Sequence, residues 1–354
     1  MTLPTTGAAA VSPAHRRVGA AVRQADPSSS PRGDDEATSA PVPSAPVPPP
    51  SESVVRDAAM PTRPTRSKVA AYVSLTKPRI IELLLVTTVP TQIVAARGLP
   101  SGWLVLWTVL GGAFAAGGAH AINMVVDRDI DALMKRTQNR PLVTGEITPR
   151  AAMTFAVVLE VAAFALLWGA VNLLSAVLAV SATGFYVFVY TLWLKRTSTQ
   201  NIVIGGAAGA APVLIGWSSV TGTLTWAPIV LFAVIFVWTP PHFWCLAVRY
   251  KDEYAAAEVP MLPVVASMAT VTRRIVAYTA VLWATTLLFA PVADMGPLYL
   301  AAAGVLGAAY LGLTVDLMRV PGAAKAMRLF HWSITYVTLL FGAMALDQLL
   351  AGGA

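Results

Sequence analysis

Cysteine is nearly absent: Cys245 is the one cysteine in 354 residues, which excludes a disulfide framework and a cysteine-based zinc site. Charge is scarce too. Asp, Glu, Lys and Arg make up 12% of the chain, roughly half the share of an ordinary soluble domain, while 56% of residues are hydrophobic. That balance excludes a cytosolic globule and a wholly disordered chain alike. Acidic residues are the scarcer sign, 18 against 25 Lys and Arg, for a formal net charge of +7. A basic membrane protein accounts for that excess without a nucleic-acid partner. A mean hydropathy of +0.64 points the same way.

What the chain does have is unevenly placed. Residues 1–67 hold 12 of the 26 prolines, with seven Arg against six Asp and Glu. Residues 40–50 (APVPSAPVPPP) favour polyproline II and cannot bury a core. The stretch 1–67 therefore reads as a disordered Pro/Ala/Ser-rich cytoplasmic tail ahead of one membrane domain over 68–354. It has no apolar run long enough for a signal-peptide h-region. From Ile80 onward, runs of bilayer-spanning length recur, near 80–96, 103–124, 151–170, 173–193, 202–219, 226–246, 275–293, 297–316 and 330–350. These predict an all-α, polytopic bundle of nine transmembrane helices. With the connectors assigned alternately to the two sides, 24 of the 25 Lys and Arg fall on one side and Arg97 alone on the other. The positive-inside rule then places the amino terminus in the cytoplasm and the carboxyl terminus outside. The expected location is the inner (cytoplasmic) cell membrane.

The polar residues on the cytoplasmic side carry the chemistry. Asn123, Asp127 and Asp131 are four apart, so on a helix they stack along one face, with His120 on nearly the same stripe and Asp129 pointing away. Three oxygen side chains at the end of a span suit a hard cation such as Mg²⁺. A solvated helix end, with Asp127 and Asp131 paired to Arg128 or Lys135, accounts for the two carboxylates equally well. Asn123 tips the balance, because it lies deeper, where unpaired polar groups are costly. The run 135–141 follows at once and contributes Arg136 and Arg140. Cations beside an acidic stripe suit a metal–diphosphate site, although a plain positive-inside signal explains that run as well. Further candidates are Tyr190, Lys195 and Arg196 in the next cytoplasmic segment, and Lys251 and Asp252 in the third. The intervening Gly205, Gly206 and Gly209 serve close helix packing or leave room for a flat substrate.

Four strings carry a family pattern: 75–89 (LTKPRIIELLLVTTV), 123–141, 190–217 and 239–264. Together they resemble the UbiA superfamily of intramembrane prenyltransferases, and within it the heme-directed protoheme IX farnesyltransferases, or heme O synthases. The resemblance spans roughly residues 70–350. It implies a nine-helix bundle with a central cavity open toward the cytoplasmic face. It also implies transfer of a farnesyl group from farnesyl diphosphate to a vinyl group of heme B, giving heme O and diphosphate, with Mg²⁺ as activating ion. On this reading Asn123, Asp127, Asp131 and Asp252 hold the metal, and Arg136, Arg140, Lys195 and Lys251 neutralise diphosphate. Lys77, Arg79, Tyr190 and Arg196 bind substrate, and His120 or His242 faces the heme iron, His120 being preferred for its place on the stripe. Partners would be the lipid bilayer and heme A synthase or terminal-oxidase assembly proteins. The chain departs from the pattern twice. Ala256 stands where many relatives complete a second Asp-x3-Asp motif, and Glu258 precedes Met261-Leu262-Pro263. Competing readings are a prenyltransferase acting on an aromatic quinone precursor, and a membrane transporter or assembly factor. The latter leaves the Asn/Asp/Asp spacing beside an Arg cluster unexplained.

Overall fold

The computed structural model describes residues 67–352, with the side chains of 79–85 outside that description. The expected disordered tail thus lies outside the described residues, apart from Ser67, whose side chain caps the helix Lys68–Leu75 by accepting from the Ala70 amide at 3.2 Å. Among the described residues all regular structure is helical. The nine long helices are α1 (Pro78–Ala96), α2 (Gly102–Val126), α3 (Pro149–Ala170), α4 (Leu173–Thr197), α5 (Asn201–Thr221), α6 (Trp226–Arg249), α7 (Met268–Val292), α8 (Pro297–Arg319) and α9 (Ala323–Gly352).

Eight of them, α2 to α9, are long and apolar enough to cross a bilayer, and α1 contributes the shorter apolar stretch Val86–Ala96. The eight run 21–29 residues, about 31–44 Å at ~1.5 Å per residue, against a hydrocarbon core of ~30 Å. This is a multi-pass membrane protein. Large apolar side chains left exposed on the outer faces, such as Trp168, Phe188 and Trp193, are explained by lipid contact rather than by a missing partner.

Each long helix packs on the next in chain order, and α9 closes the ring against α1. Inside the ring α1 also packs on α5, and α6 on α9. Small residues set these distances. A Cβ at Gly216 would stand 2.8 Å from the Thr88 carbonyl oxygen, so only glycine lets α5 approach the α1 backbone this closely.

Short helices cap one end of the bundle. Arg128–Leu133 and Pro141–Thr144 lie between α2 and α3, and Lys251–Ala256 and Leu262–Val265 lie between α6 and α7. Ile130, Met134, Tyr254 and Met261 of these connectors bury together with Ile202 of α5. The connectors therefore fold over each other as a roof above the helix ends, fixed by apolar contact.

Within α4, residues Phe185–Leu194 form a π-helical stretch. At about 100° per residue, an α-helix would set positions 186 and 195 half a turn apart. The wider π turn brings them back to one face, so Tyr186 and Lys195 both look into the bundle. Insertions of this kind recur at functional sites.

Candidate active site

Two cavities meet inside the bundle beneath the roof. The one toward the roof is about 290 Å³ and polar at its mouth, where Lys77, Asn123, Asp131, Arg136, Arg140 and Lys195 line it. The deeper one is about 170 Å³, walled by small residues such as Ala115, Ala119, Ala182 and Ala208. His120, Tyr186, Gly209 and Ile235 line both.

The polar mouth is built around the end of α2. The helix stops at Val126, and Asp127 joins it to Arg128–Leu133 while the amides of Asp127 and Asp131 still bond back four residues, at 2.9 and 2.8 Å. Asn123, Asp127 and Asp131 therefore remain in register across the joint, and all three are buried. Their partners come from other elements. Lys77 Nζ donates to Asn123 Oδ1 at 3.0 Å, and Asn123 Nδ2 donates to Asp127 Oδ2 at 2.6 Å and to Thr191 Oγ1 at 3.2 Å. Lys195 pairs with Asp127 and Arg140 with Asp131. The expected alternative partners, Arg128 and Lys135, make neither pair. Instead, cations brought from α4 and from beyond the short helix neutralise carboxylates that burial would otherwise penalise.

Lys77 reaches the site through its backbone. It sits at φ 52, ψ 63, ahead of Pro78 at the first turn of α1. A left-handed conformation is uncommon for a residue with a Cβ and is held only where the surroundings impose it. Burial, with Arg140 and Lys195 nearby, lowers the Lys77 ammonium to about 7.

The Mg²⁺ expectation can be tested on the donors. The set is two carboxylates and an amide, all oxygen, as a hard cation prefers. Asp127 Oδ1 is buried and accepts no hydrogen bond, with Arg196 at 3.6 Å. Among the described residues no three His, Cys, Asp or Glu side chains converge, so phosphate oxygens would have to complete the shell. The residues fit such an ion.

Several candidates lie elsewhere. Lys251 and Asp252 are exposed and do not line either cavity, because the helix Lys251–Ala256 turns Tyr254 inward and them outward. From that segment it is Glu253 and Tyr254 that meet the site, accepting from the Arg136 amide at 3.3 Å and its guanidinium at 3.4 Å. Arg196 is occupied by Asp129, with two contacts of 2.7 Å, and that pairing holds Asp129 down at about 2. His242 is stacked between Trp238 and Phe330 and bonded to Ser333 Oγ at 2.6 Å, outside both cavities. The side chain of Arg79 lies outside the described residues. His120 is at the junction of the cavities, edge-on to Tyr186 at 5.7 Å, and its Nδ1 has no hydrogen-bond partner.

The glycine-rich run packs closely at two positions and stands open at a third. The Tyr190 ring lies against Gly205, where a Cβ would collide with it, and Thr239 stands 3.0 Å from a Cβ placed at Gly206. Gly209 has open space beside it. Sequence reasoning missed Tyr186, Thr191, Trp238, Thr239 and Tyr254. Tyr186, four before Tyr190, had a signal in its spacing; Thr191, Thr239 and Tyr254 fall within the strings 190–217 and 239–264 without being singled out, and Trp238 carried none.

Fold and site together define a membrane-embedded helical bundle with a buried carboxylate–cation network at the mouth of an apolar chamber. Residues 84–335 match the model of the UbiA prenyltransferase family, and the chain belongs to that family. The protoheme IX farnesyltransferase of Kineococcus radiotolerans is 54% identical over 310 residues, covering 82% of this chain and 91% of that protein. The protein of the same name from Frankia alni is 54% identical over 282 residues, covering 79% and 98%. Among solved structures, a digeranylgeranylglyceryl phosphate synthase matches with a TM-score of 0.68 at 15% identity, covering 80% of this chain and 99% of that one. A UbiA homolog from Archaeoglobus fulgidus bound to GPP and Mg²⁺ matches at 0.54 and 18% identity, covering 77% and 99%. These two share the fold.

Proposed function

We propose that this chain transfers the farnesyl group of farnesyl diphosphate to a vinyl group of heme B, releasing diphosphate. The observation that carries this reading is the joining of a cation- and carboxylate-lined mouth to an apolar chamber within the membrane. An allylic diphosphate needs charge stabilisation at one end and exclusion of water at the other. The relatives that share 54% identity over nearly their whole length carry the name of that reaction.

Lys77, Arg136, Arg140 and Lys195 would bind the diphosphate oxygens as charge-assisted donors. Asn123, Asp127 and Asp131 would hold Mg²⁺, which when bound supplies Lewis-acid stabilisation of the leaving group. Cations released from Asp127 and Asp131 would then turn to the diphosphate. The small-residue walls take up the isoprenoid chain and keep water from the allylic cation until the vinyl carbon attacks. His120, with a free ring nitrogen where the chambers meet, is the side chain best placed to face the heme iron. The mouth would open to the cytoplasm of the cell membrane, as the Lys and Arg distribution favours.

The test is to co-express the chain with a heme B supply and extract the pigments. A heme that elutes later than heme B and is heavier by a farnesyl-derived group supports the reading. Unchanged heme B, with an isoprenylated quinone precursor instead, overturns the choice of acceptor.

A further inference from the structure

One titratable side chain inside the bundle is used by none of this chemistry. Glu160 lies on α3, 11 residues past Pro149 and so about 16 Å along the helix, midway along a span long enough to cross the bilayer. Carboxyls at that depth are costly and as a rule functional. No ion pair among the described residues includes it. Glu160 Oε1 accepts from Thr183 Oγ1 at 3.2 Å, and Oε2 has no hydrogen-bond partner. Room for the carboxyl comes from α2: a Cβ at Gly118 would stand 2.6 Å from Oε1. Thr183 and the neighbouring Ala119 both line the apolar chamber. A carboxyl is thus cradled behind the chamber wall, with one hydroxyl joining it to the interior.

The reading above, on which this inference rests, creates a need for such a group. When the vinyl π pair bonds to C1 of the farnesyl group, the C1–O bond breaks and diphosphate leaves with its electrons. A cation remains on the inner vinyl carbon. Capture by water or loss of a neighbouring hydrogen discharges it, and either route delivers one proton. We propose that Thr183 and Glu160 are the relay that takes this proton. Thr183 Oγ1 accepts it and passes its own to the Glu160 carboxylate, which becomes a carboxylic acid. Attack by the vinyl group is reversible until that proton leaves. Without the relay the allylic cation returns and is lost to water as farnesol.

The inference is tested on the full chain purified in detergent, with farnesyl diphosphate, heme B and Mg²⁺, by counting diphosphate released per heme alkylated. Misfolded molecules turn over neither substrate, so the ratio reports only folded ones. Glu160→Gln and Thr183→Val should raise the ratio at least ~tenfold, with farnesol making up the difference, as expected when about 1.4 kcal/mol or more of differential stabilisation is lost. Thr183→Ser, which keeps the hydroxyl, should stay near the wild-type ratio. A wild-type ratio in both Glu160→Gln and Thr183→Val, whether or not the rates fall, overturns the relay while the proposed acceptor stands. A wild-type protein that releases diphosphate and alkylates no heme overturns both.

Discussion

Lys77 is the residue on which conformation and charge converge. Its left-handed backbone costs of order 1–3 kcal/mol, offset by the contact it makes with Asn123. Because burial and neighbouring cations bring it to about 7, it is charged below neutral pH and loses its proton above. Its pull on diphosphate should follow. In the free enzyme, kcat/KM for farnesyl diphosphate should fall as pH rises through about 7. The Lys77→Arg variant keeps its charge, and that limb should move to markedly higher pH. A pH profile of kcat/KM for both proteins checks this, and an unshifted limb would remove Lys77 from diphosphate binding. At this scale the sequence was informative where spacing had a single geometric meaning. Asn123, Asp127 and Asp131 lie in register as the four-residue interval requires. It was uninformative where meaning depended on side: Lys251 and Asp252 form as polar a cluster as Arg136 and Arg140, yet a six-residue helix turns them away. The identity of the cations facing Asp127 and Asp131 was equally hidden, since pairing across 68 residues, as for Lys195 and Asp127, leaves no local trace.

Among the elements, α4 decides the shape of the site. Its π-helical stretch faces Tyr186, Thr191 and Lys195 inward, and the Tyr190 ring lies against Gly205 of α5. Gly205→Ala must displace that ring, and overpacking of this kind costs about 1–3 kcal/mol. Gly209→Ala meets open space and should be nearly neutral for folding. Thermal unfolding of the two variants in detergent should lower the midpoint for Gly205→Ala alone; equal midpoints would mean that the ring moves freely. The spans themselves were legible, because bilayer thickness imposes a length that hydropathy records. Their ends were not. The predicted 275–293 and 330–350 begin at Met268 and Ala323, since Arg273, Arg274, Lys325 and Arg328 end the apolar run without ending the helix. The π stretch had no sequence signal, because an extra residue in a turn alters neither composition nor hydropathy.

For the whole molecule, the side on which each terminus lies turns on α1: a crossing by its shorter apolar stretch, added to the eight longer spans, would place the termini on opposite faces. With 24 of 25 Lys and Arg assigned to one face, a periplasm-active reporter fused after Ala354 should be active, and the same reporter fused ahead of α1 silent. The opposite pattern would invert the bundle and point its charged mouth outward. Closure of the ring has a further consequence, for biogenesis. The Trp238 indole on the cavity wall donates to the Ser333 carbonyl at 2.9 Å, and α9 is also the helix that seals against α1. A nascent chain released after Val320 would carry every charged residue of the mouth but lack the helix that packs behind α1 and α6, both of which line the cavities. Such a fragment should insert, resist extraction by alkali and transfer no farnesyl group. Supplying α9 as a separate peptide should restore transfer in part. The walls of the chamber thus lean on a helix that lines neither cavity, which makes closure of the ring a condition of transfer rather than of insertion.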